Sequence, residues 1–89
     1  EDATKSFNTT YTAAADTLIE ANVDCAGTAQ GRMDGLLGGN IRASASGDAT
    51  VYNSKGSLMM VCERGQTWRV NSSTGAGVPT FTLIIKELR

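Results

Sequence analysis

Hydrophobic side chains recur at helical spacing in the first quarter of the chain. Successive members are four, three, four and three positions apart, which places them on one face of a helix. They are Phe7, Tyr11, Ala14, Leu18 and Ala21. Polar residues fill most of the intervening positions, and the run Ala13–Ala15 has high intrinsic helix propensity. The pattern therefore predicts an amphipathic helix over about residues 5–22.

A glycine-rich segment follows the predicted helix. Glycine occupies five of the thirteen positions from Gly27 to Gly39. A glycine at every fourth position is compatible with a packed helical stripe, but so many glycines are costly in a helix exposed to water. Arg32 and Asp34 also argue against a lipid environment. We therefore predict a mobile connector over residues 27–39.

The hydrophobic period changes to two after residue 40, as in half-buried β-strands. Leu58–Cys62 is apolar at every position, which predicts a central strand covered on both faces. Alternation around Trp68 places its indole ring in the core, and Thr80–Glu87 is the last predicted strand. A shorter strand is expected at Ala49–Asn53. Residues 40–88 should therefore form a set of antiparallel strands.

These elements combine into an α+β fold. A lone helix cannot bury its own apolar face, so the predicted helix must pack on one face of the sheet. The chain has 89 residues, which suits one domain, and no linker divides it. We expect a single small domain, residues 1–89, in which one N-terminal helix packs on a four- to five-stranded antiparallel sheet.

The two cysteines, Cys25 and Cys62, form an even pair in a chain too short to bury a large core. Their spacing is not that of a redox motif, so we expect one structural disulfide that staples the fold. A disulfide indicates an oxidising compartment, and the chain begins at Glu1 without methionine, as after removal of a leader. Both features predict a secreted or periplasmic protein. Two buried free thiols in a cytosolic protein are the alternative.

The composition argues against most catalytic and nucleic-acid-binding functions. The chain has no histidine and only two cysteines, which excludes imidazole-based catalysis and the usual zinc sites. Its net charge is −1, whereas a nucleic-acid-binding domain of this size normally carries a basic excess. No run approaches the roughly 18 apolar residues that span a membrane. We therefore expect no catalytic residue, metal, cofactor, nucleic acid or transmembrane segment.

These exclusions favour a small exported binding protein without catalytic activity, such as an effector, a toxin-like protein or an inhibitor. It would act by surface contact with another protein. Glycine-rich loops conform to a partner at low steric cost, and arginine and large apolar side chains dominate binding energetics. The predicted anchors lie in the connector: Arg32, Met33, Leu36 and Leu37. The competing interpretation is that Leu36 and Leu37 close one end of the core.

Two other function classes are compatible with the sequence. The first is a structural or assembly domain of a bacterial envelope protein, periplasmic or lipid-anchored, which the glycine connector would suit. The second is a small enzyme based on carboxylates, for which Asp16 and Glu20 lie about one helical turn apart in the predicted helix. Such an enzyme would need both carboxylates in a cleft.

Overall fold

The computed structural model describes residues 5–27, 29–47 and 54–88, and these residues form seven β-strands and no helix. In chain order the strands are β1 (Tyr11–Thr12), β2 (Thr17–Cys25), β3 (Gln30–Leu37), β4 (Asn40–Gly47), β5 (Ser54–Cys62), β6 (Thr67–Ala76) and β7 (Thr80–Glu87). Antiparallel pairing arranges them in a four-stranded sheet of order β1-β6-β3-β4 and a three-stranded sheet of order β5-β2-β7. The two sheets pack face to face on a shared hydrophobic core.

The predicted α+β fold is wrong, because the described residues are all-β. Residues 17–25, which overlap the predicted helix, form β2. Every second side chain of β2 is buried, which is the period of a strand and not the period of about 3.6 residues that a helix shows. The buried members are Thr17, Ile19, Ala21, Val23 and Cys25. Three of these five are β-branched, which favours a strand further.

The hydrophobic residues that suggested the first half of the helix pack in another way. Phe7 contacts Phe81 edge to face, with 5.8 Å between ring centroids, and Tyr11 lies over Trp68 with 4.9 Å between centroids. Ala14 is exposed. The helical spacing of these residues is therefore coincidental, and the segment that carries them covers the side of the sandwich between β6 and β7.

The N-terminal segment, residues 5–12, is attached to β6 through few backbone contacts. β1 contributes only two paired residues. Asn8 adopts a left-handed conformation (φ 62°), in which its N–H donates to the Val70 carbonyl (2.8 Å). Its side-chain Oδ1 accepts a hydrogen bond from the Ser72 N–H (3.0 Å). The carboxamide of Asn8 thus occupies the place where a neighbouring strand would pair with Ser72.

The predicted glycine connector is also wrong, since its central part is strand β3. This strand pairs with β4 on one side and with β6 on the other, so it lies in the interior of the four-stranded sheet. Gly38 and Gly39 form the turn to β4 with φ angles of 59° and 87°. Two successive positive φ angles are what the tightest hairpin turns require. The glycines therefore belong to regular structure.

Gly31 and Gly35 lie on the inward face of β3, on either side of the fully buried Met33. A Cβ atom at Gly31 would lie 2.9 Å from the ring of Phe81, and one at Gly35 would lie 2.8 Å from the sulfur of Met60. Both distances are shorter than carbon contacts in packed interiors. The absence of these two side chains lets large side chains of the opposite sheet reach the backbone of β3.

The predicted disulfide does not form, because Cys25 and Cys62 are separate, buried free thiols. In the antiparallel β2–β5 pair, Cys62 lies opposite Thr17 and Cys25 lies opposite Ser54. Cys25 therefore lies at the end of β2 and Cys62 lies beside its start, and β2 is nine residues long. At about 3.3 Å per residue, that length far exceeds the Cα separation of about 7 Å that a disulfide permits.

Other predictions concern residues 40–88. β5 is not central: it forms an edge of the three-stranded sheet, and β2 lies in the middle. Trp68 is 2% exposed, which confirms its place in the core. The strand expected at Ala49–Asn53 lies outside the described residues.

Over residues 5–27, 29–47 and 54–88, no helix has the length and apolar character needed to cross a membrane.

Gly31→Ala should destabilise the fold by about 1–3 kcal/mol, because the added methyl group overpacks the core. It would press on Phe81, Val23 and Pro79, whose nearest atoms lie 2.9 to 3.1 Å from the added carbon. Urea unfolding measures the change. Phe81→Leu in the same chain removes the nearest ring atom and should recover part of the loss. An unchanged unfolding midpoint for Gly31→Ala would contradict the packing.

The two thiols should resist alkylation in the native protein, since both are buried. Burial, assisted by the charges of Glu63 and Asp16, also raises the pKa of the Cys62 thiol, which keeps it in the unreactive protonated form. After unfolding in denaturant without reductant, mass spectrometry should find an adduct on each cysteine. If the unfolded protein takes up no adduct and weighs two hydrogens less than its reduced form, the two cysteines form a disulfide and the assignment of free thiols is wrong.

Candidate functional site

The outer face of the three-stranded sheet is built on the side chains of β2 that point away from the core. The register aligns each of them with one residue of β5 and one of β7. The rows are Leu18 with Val61 and Lys86, Glu20 with Met59 and Ile84, Asn22 with Ser57 and Thr82, and Asp24 with Lys55 and Thr80. The first two rows carry four apolar side chains beside Glu20 and Lys86, and we call them the apolar half of this face. The last two rows form its polar half.

The apolar half exposes large hydrophobic side chains next to one another. Met59 is 59% exposed and Val61 is 50% exposed, while Leu18 and Ile84 are half-buried. All four lie on adjacent strands of one sheet, so their exposed surfaces are contiguous. Scattered hydrophobic residues are normal on a protein surface, but a contiguous patch marks an interaction site.

Glu20 lies in the middle of the apolar half, between Met59 and Ile84. It is half-buried, and within the described residues its carboxylate has neither a hydrogen bond nor an ion pair. Burying an unpaired carboxylate is costly, because its hydration is lost without compensation. A partner that covers the apolar half must therefore supply a cation or hydrogen-bond donors to Glu20, or leave Lys86, one row away on β7, to pair with it.

The polar half lines a shallow groove of about 420 Å³. Lys55 Nζ and Asp24 Oδ2 lie 4.0 Å apart, and both side chains are well exposed, so their attraction contributes little to stability. The remaining groups of the polar half offer hydrogen-bond donors and acceptors: Asn22, Ser57, Thr80 and Thr82. This half has the composition of the polar rim that surrounds an apolar contact.

The structure divides the four predicted anchors between the two faces of β3. Arg32 points outward, with 61% of its side chain exposed, and Leu36 is half-buried on the same outer face. Met33 points into the core and is fully buried, so it cannot contact a partner from this position. Leu37 packs against the core, as the competing interpretation expected. A role in binding stays a prediction for Arg32 and Leu36.

Asp34 joins Arg32 and Ser44 in a hydrogen-bonded cluster across β3 and β4. The Ser44 hydroxyl donates to Asp34 Oδ1 at 2.7 Å, and Arg32 donates to the same oxygen from Nε at 3.3 Å and from Nη2 at 3.2 Å. The hydrogen bond from Ser44, followed by that from Arg32, lowers the pKa of Asp34, although partial burial opposes the shift. The outer face of the four-stranded sheet therefore carries a paired charge at this point.

Met59 and Val61 are absent from the predicted anchors, although the sequence contains a signal for them. The run Leu58–Cys62 is apolar at every position. Such a run fits a strand covered on both faces, and it fits equally well a strand that leaves one apolar face exposed. The pattern along one strand carries no information on which faces its neighbours cover.

The Asp34 carboxyl should titrate below its ordinary value of 3.8 in an NMR titration, and Ser44→Ala should raise the midpoint. A carboxyl with a lowered pKa in the folded state stabilises the fold above the unfolded pKa, and this stabilisation is lost as the pH falls through the folded pKa. Acidification below about pH 4 should therefore destabilise the wild type more than Asp34→Asn. Equal Asp34 midpoints in the wild type and Ser44→Ala would contradict the assigned cause.

Comparison of the chain with known protein families, with curated proteins and with solved structures gives no match in any of the three. A function can therefore be inferred only from the chemistry of the protein's own surfaces.

Proposed function

We propose that the chain is a binding protein without catalytic activity, which holds a partner protein on the outer face of its three-stranded sheet. The observation that carries the proposal is the contiguous apolar half, in which Met59 and Val61 are at least half exposed. Fully burying a side chain of this size contributes about 1.5–3 kcal/mol, so covering each of these two would contribute about 1 kcal/mol. Binding a partner that displaces water from this patch therefore lowers the free energy.

Glu20 defines the kind of partner that fits this face. A lysine or arginine surrounded by apolar side chains would pair with the Glu20 carboxylate, while its neighbours would cover Met59 and Ile84. Charge complementarity at the centre provides specificity, since a partner without a cation would leave the Glu20 carboxylate either unpaired or dependent on Lys86, one row away on β7. The hydroxyl and amide groups of the polar half would hydrogen-bond at the rim of the contact.

The alternative of a carboxylate enzyme assumed that Asp16 and Glu20 lie one helical turn apart, and this arrangement does not form. Asp16 lies before β2, where its carboxylate accepts the backbone N–H of Arg64 at 2.9 Å. Glu20 follows four residues later along an extended chain, about 13 Å away, and not one helical turn away. Within the described residues, no three metal-binding side chains are close enough to hold a metal ion. An assembly domain would use the same surface and would differ in the partner it holds.

The proposed binding activity does not depend on a secreted or periplasmic location. That location was inferred mainly from a disulfide, whereas Cys25 and Cys62 are free thiols. Thiols that lie at opposite ends of a strand cannot form an intramolecular bond in either a reducing or an oxidising compartment.

A photoactivatable amino acid at position 59 should cross-link the partner in extracts of the source organism, whereas the same amino acid at position 41 should not. Ile41 is 60% exposed and belongs to the other sheet, so it is a control matched for exposure. With the cross-linked partner purified, Val61→Lys and Glu20→Lys should each weaken binding about tenfold or more.

Ile41→Lys is the matched control for these charge substitutions, and it should bind the partner as the wild type does. Equal cross-linking from positions 59 and 41 would contradict the proposal. The same conclusion would follow if Val61→Lys and Ile41→Lys bound with equal affinity.

A further inference from the structure

β7 is an edge strand, and among the described strands it pairs only with β2. Just beyond its end, the Leu88 N–H donates to the Asp16 carbonyl at 2.7 Å. Hydrogen-bonded pairs recur at every second residue of an antiparallel ladder, so the even-numbered residues of β7 bond to β2. The odd-numbered residues direct their N–H and C=O groups to the outer edge: Phe81, Leu83, Ile85 and Glu87. Within the described residues no backbone group pairs with this edge.

The other sheet edges carry features that discourage the addition of a strand. The edge of β5 is covered by β4, because the backbone of Ser46 packs closely on Gly56. A Cβ atom at Gly56 would lie only 3.0 Å from the Ser46 carbonyl oxygen. The pairing of β4 is interrupted by a β-bulge, beside the exposed Arg42. Asn8 covers the edge of β6.

The N-terminal segment meets β7 through the ring of Phe7, which packs on the inward-facing Phe81. Over the described residues, however, β7 has no bulge and no backbone hydrogen bond on its outer edge.

The sequence of β7 itself favours strand addition. Its first six residues, Thr80–Ile85, include no charge, proline or glycine. They are β-branched, aromatic or aliphatic, which is the composition with the highest strand propensity. A long, uncharged edge of this kind pairs with another extended chain through its free backbone groups.

We propose that β7 pairs with the β7 of a second copy of this chain, antiparallel about a two-fold axis, so that two three-stranded sheets join into one continuous sheet. One register uses every outward residue of β7, with Phe81 opposite Glu87 and Leu83 opposite Ile85. The Ile84 side chains of the two copies then lie opposite each other at the axis. A register centred on Leu83 would instead place Glu87 opposite Pro79, which has no N–H to donate.

The charges at the end of β7 are compatible with this register. Lys86 lies opposite Thr82 of the second copy, and Glu87 lies opposite Phe81, so no like charges face each other across the new pair. The two-fold axis repeats each of these contacts, as in any isologous interface. Dimerisation is independent of the proposed binding function, although it would bring the apolar halves of two copies side by side through Ile84.

Sedimentation equilibrium should show a reversible monomer–dimer equilibrium of the 9.3 kDa chain. Glu87→Pro removes an outward N–H without removing a hydrogen bond to β2, so it should raise the dimer dissociation constant about tenfold or more. Glu87→Ala loses the same charge and keeps the N–H, so it should dimerise like the wild type. Val61→Lys lies on β5, on the far side of β2, and should also dimerise normally while it weakens partner binding.

Amide hydrogen exchange distinguishes edge pairing from any other dimer. In dilute protein, the N–H groups of Leu83 and Ile85 bond to no described residue and should exchange faster than those of Thr82 and Ile84, which bond to β2. The contrast should be larger at Leu83, because Ile85 is only 4% exposed. Raising the concentration should protect Leu83 and Ile85.

Three results would overturn the proposal. The first is a protein that stays monomeric up to about 1 mM. The second is a dimer in which Leu83 and Ile85 stay unprotected, and the third is new protection at Met59 and Val61, on the edge of β5.

Discussion

The close approach of β3 to the opposite sheet is the constraint on which the rest of the structure depends. Gly31 and Gly35 leave space that Phe81 and Met60 fill. Phe81 belongs to β7 and Met60 to β5, so one interior strand fixes both outer strands of the three-stranded sheet. Once these side chains point inward, their neighbours along β5 and β7 must point outward. The apolar half of the outer face is thus a direct consequence of the core packing.

The C-terminal strands could be predicted from the sequence, whereas β2 could not. Thr80–Glu87 forms a strand with the bounds that the alternation predicts, because its neighbouring positions differ clearly in character. In β2, by contrast, Leu18 and Ala21 fit a helical spacing while Ile19, Ala21 and Val23 fit a spacing of two. Alanine is compatible with both structures. The residues that decide between them lie on β5 and β7, far along the chain, and a local pattern does not include them.

β3 and the candidate site escaped prediction for a different reason. Glycine is treated as a flexible residue when only the local sequence is considered. At Gly31, however, glycine is needed because the ring of Phe81 leaves no room for a side chain. Its role can be recognised only when the neighbour is known. In the same way, the exposure of Met59 follows from the position of β5 at a sheet edge. Arg32 is outward as expected, because charged side chains are rarely buried wherever the strand lies.

The attachment of residues 5–12 determines the order in which the protein opens. Besides the two paired residues of β1 and the contacts of Phe7 and Tyr11, three hydrogen bonds of Asn8 hold this segment in place, and each contributes about 0.5–1.5 kcal/mol net. Unfolding a whole domain typically requires about 5–15 kcal/mol, so the segment, with β1, can detach while the other described strands stay paired. Detachment uncovers the edge of β6 together with the rings of Trp68 and Phe81. The Asn8 carboxamide, together with the β1 pairing and the two ring contacts, therefore sets how often the sandwich presents a second open edge.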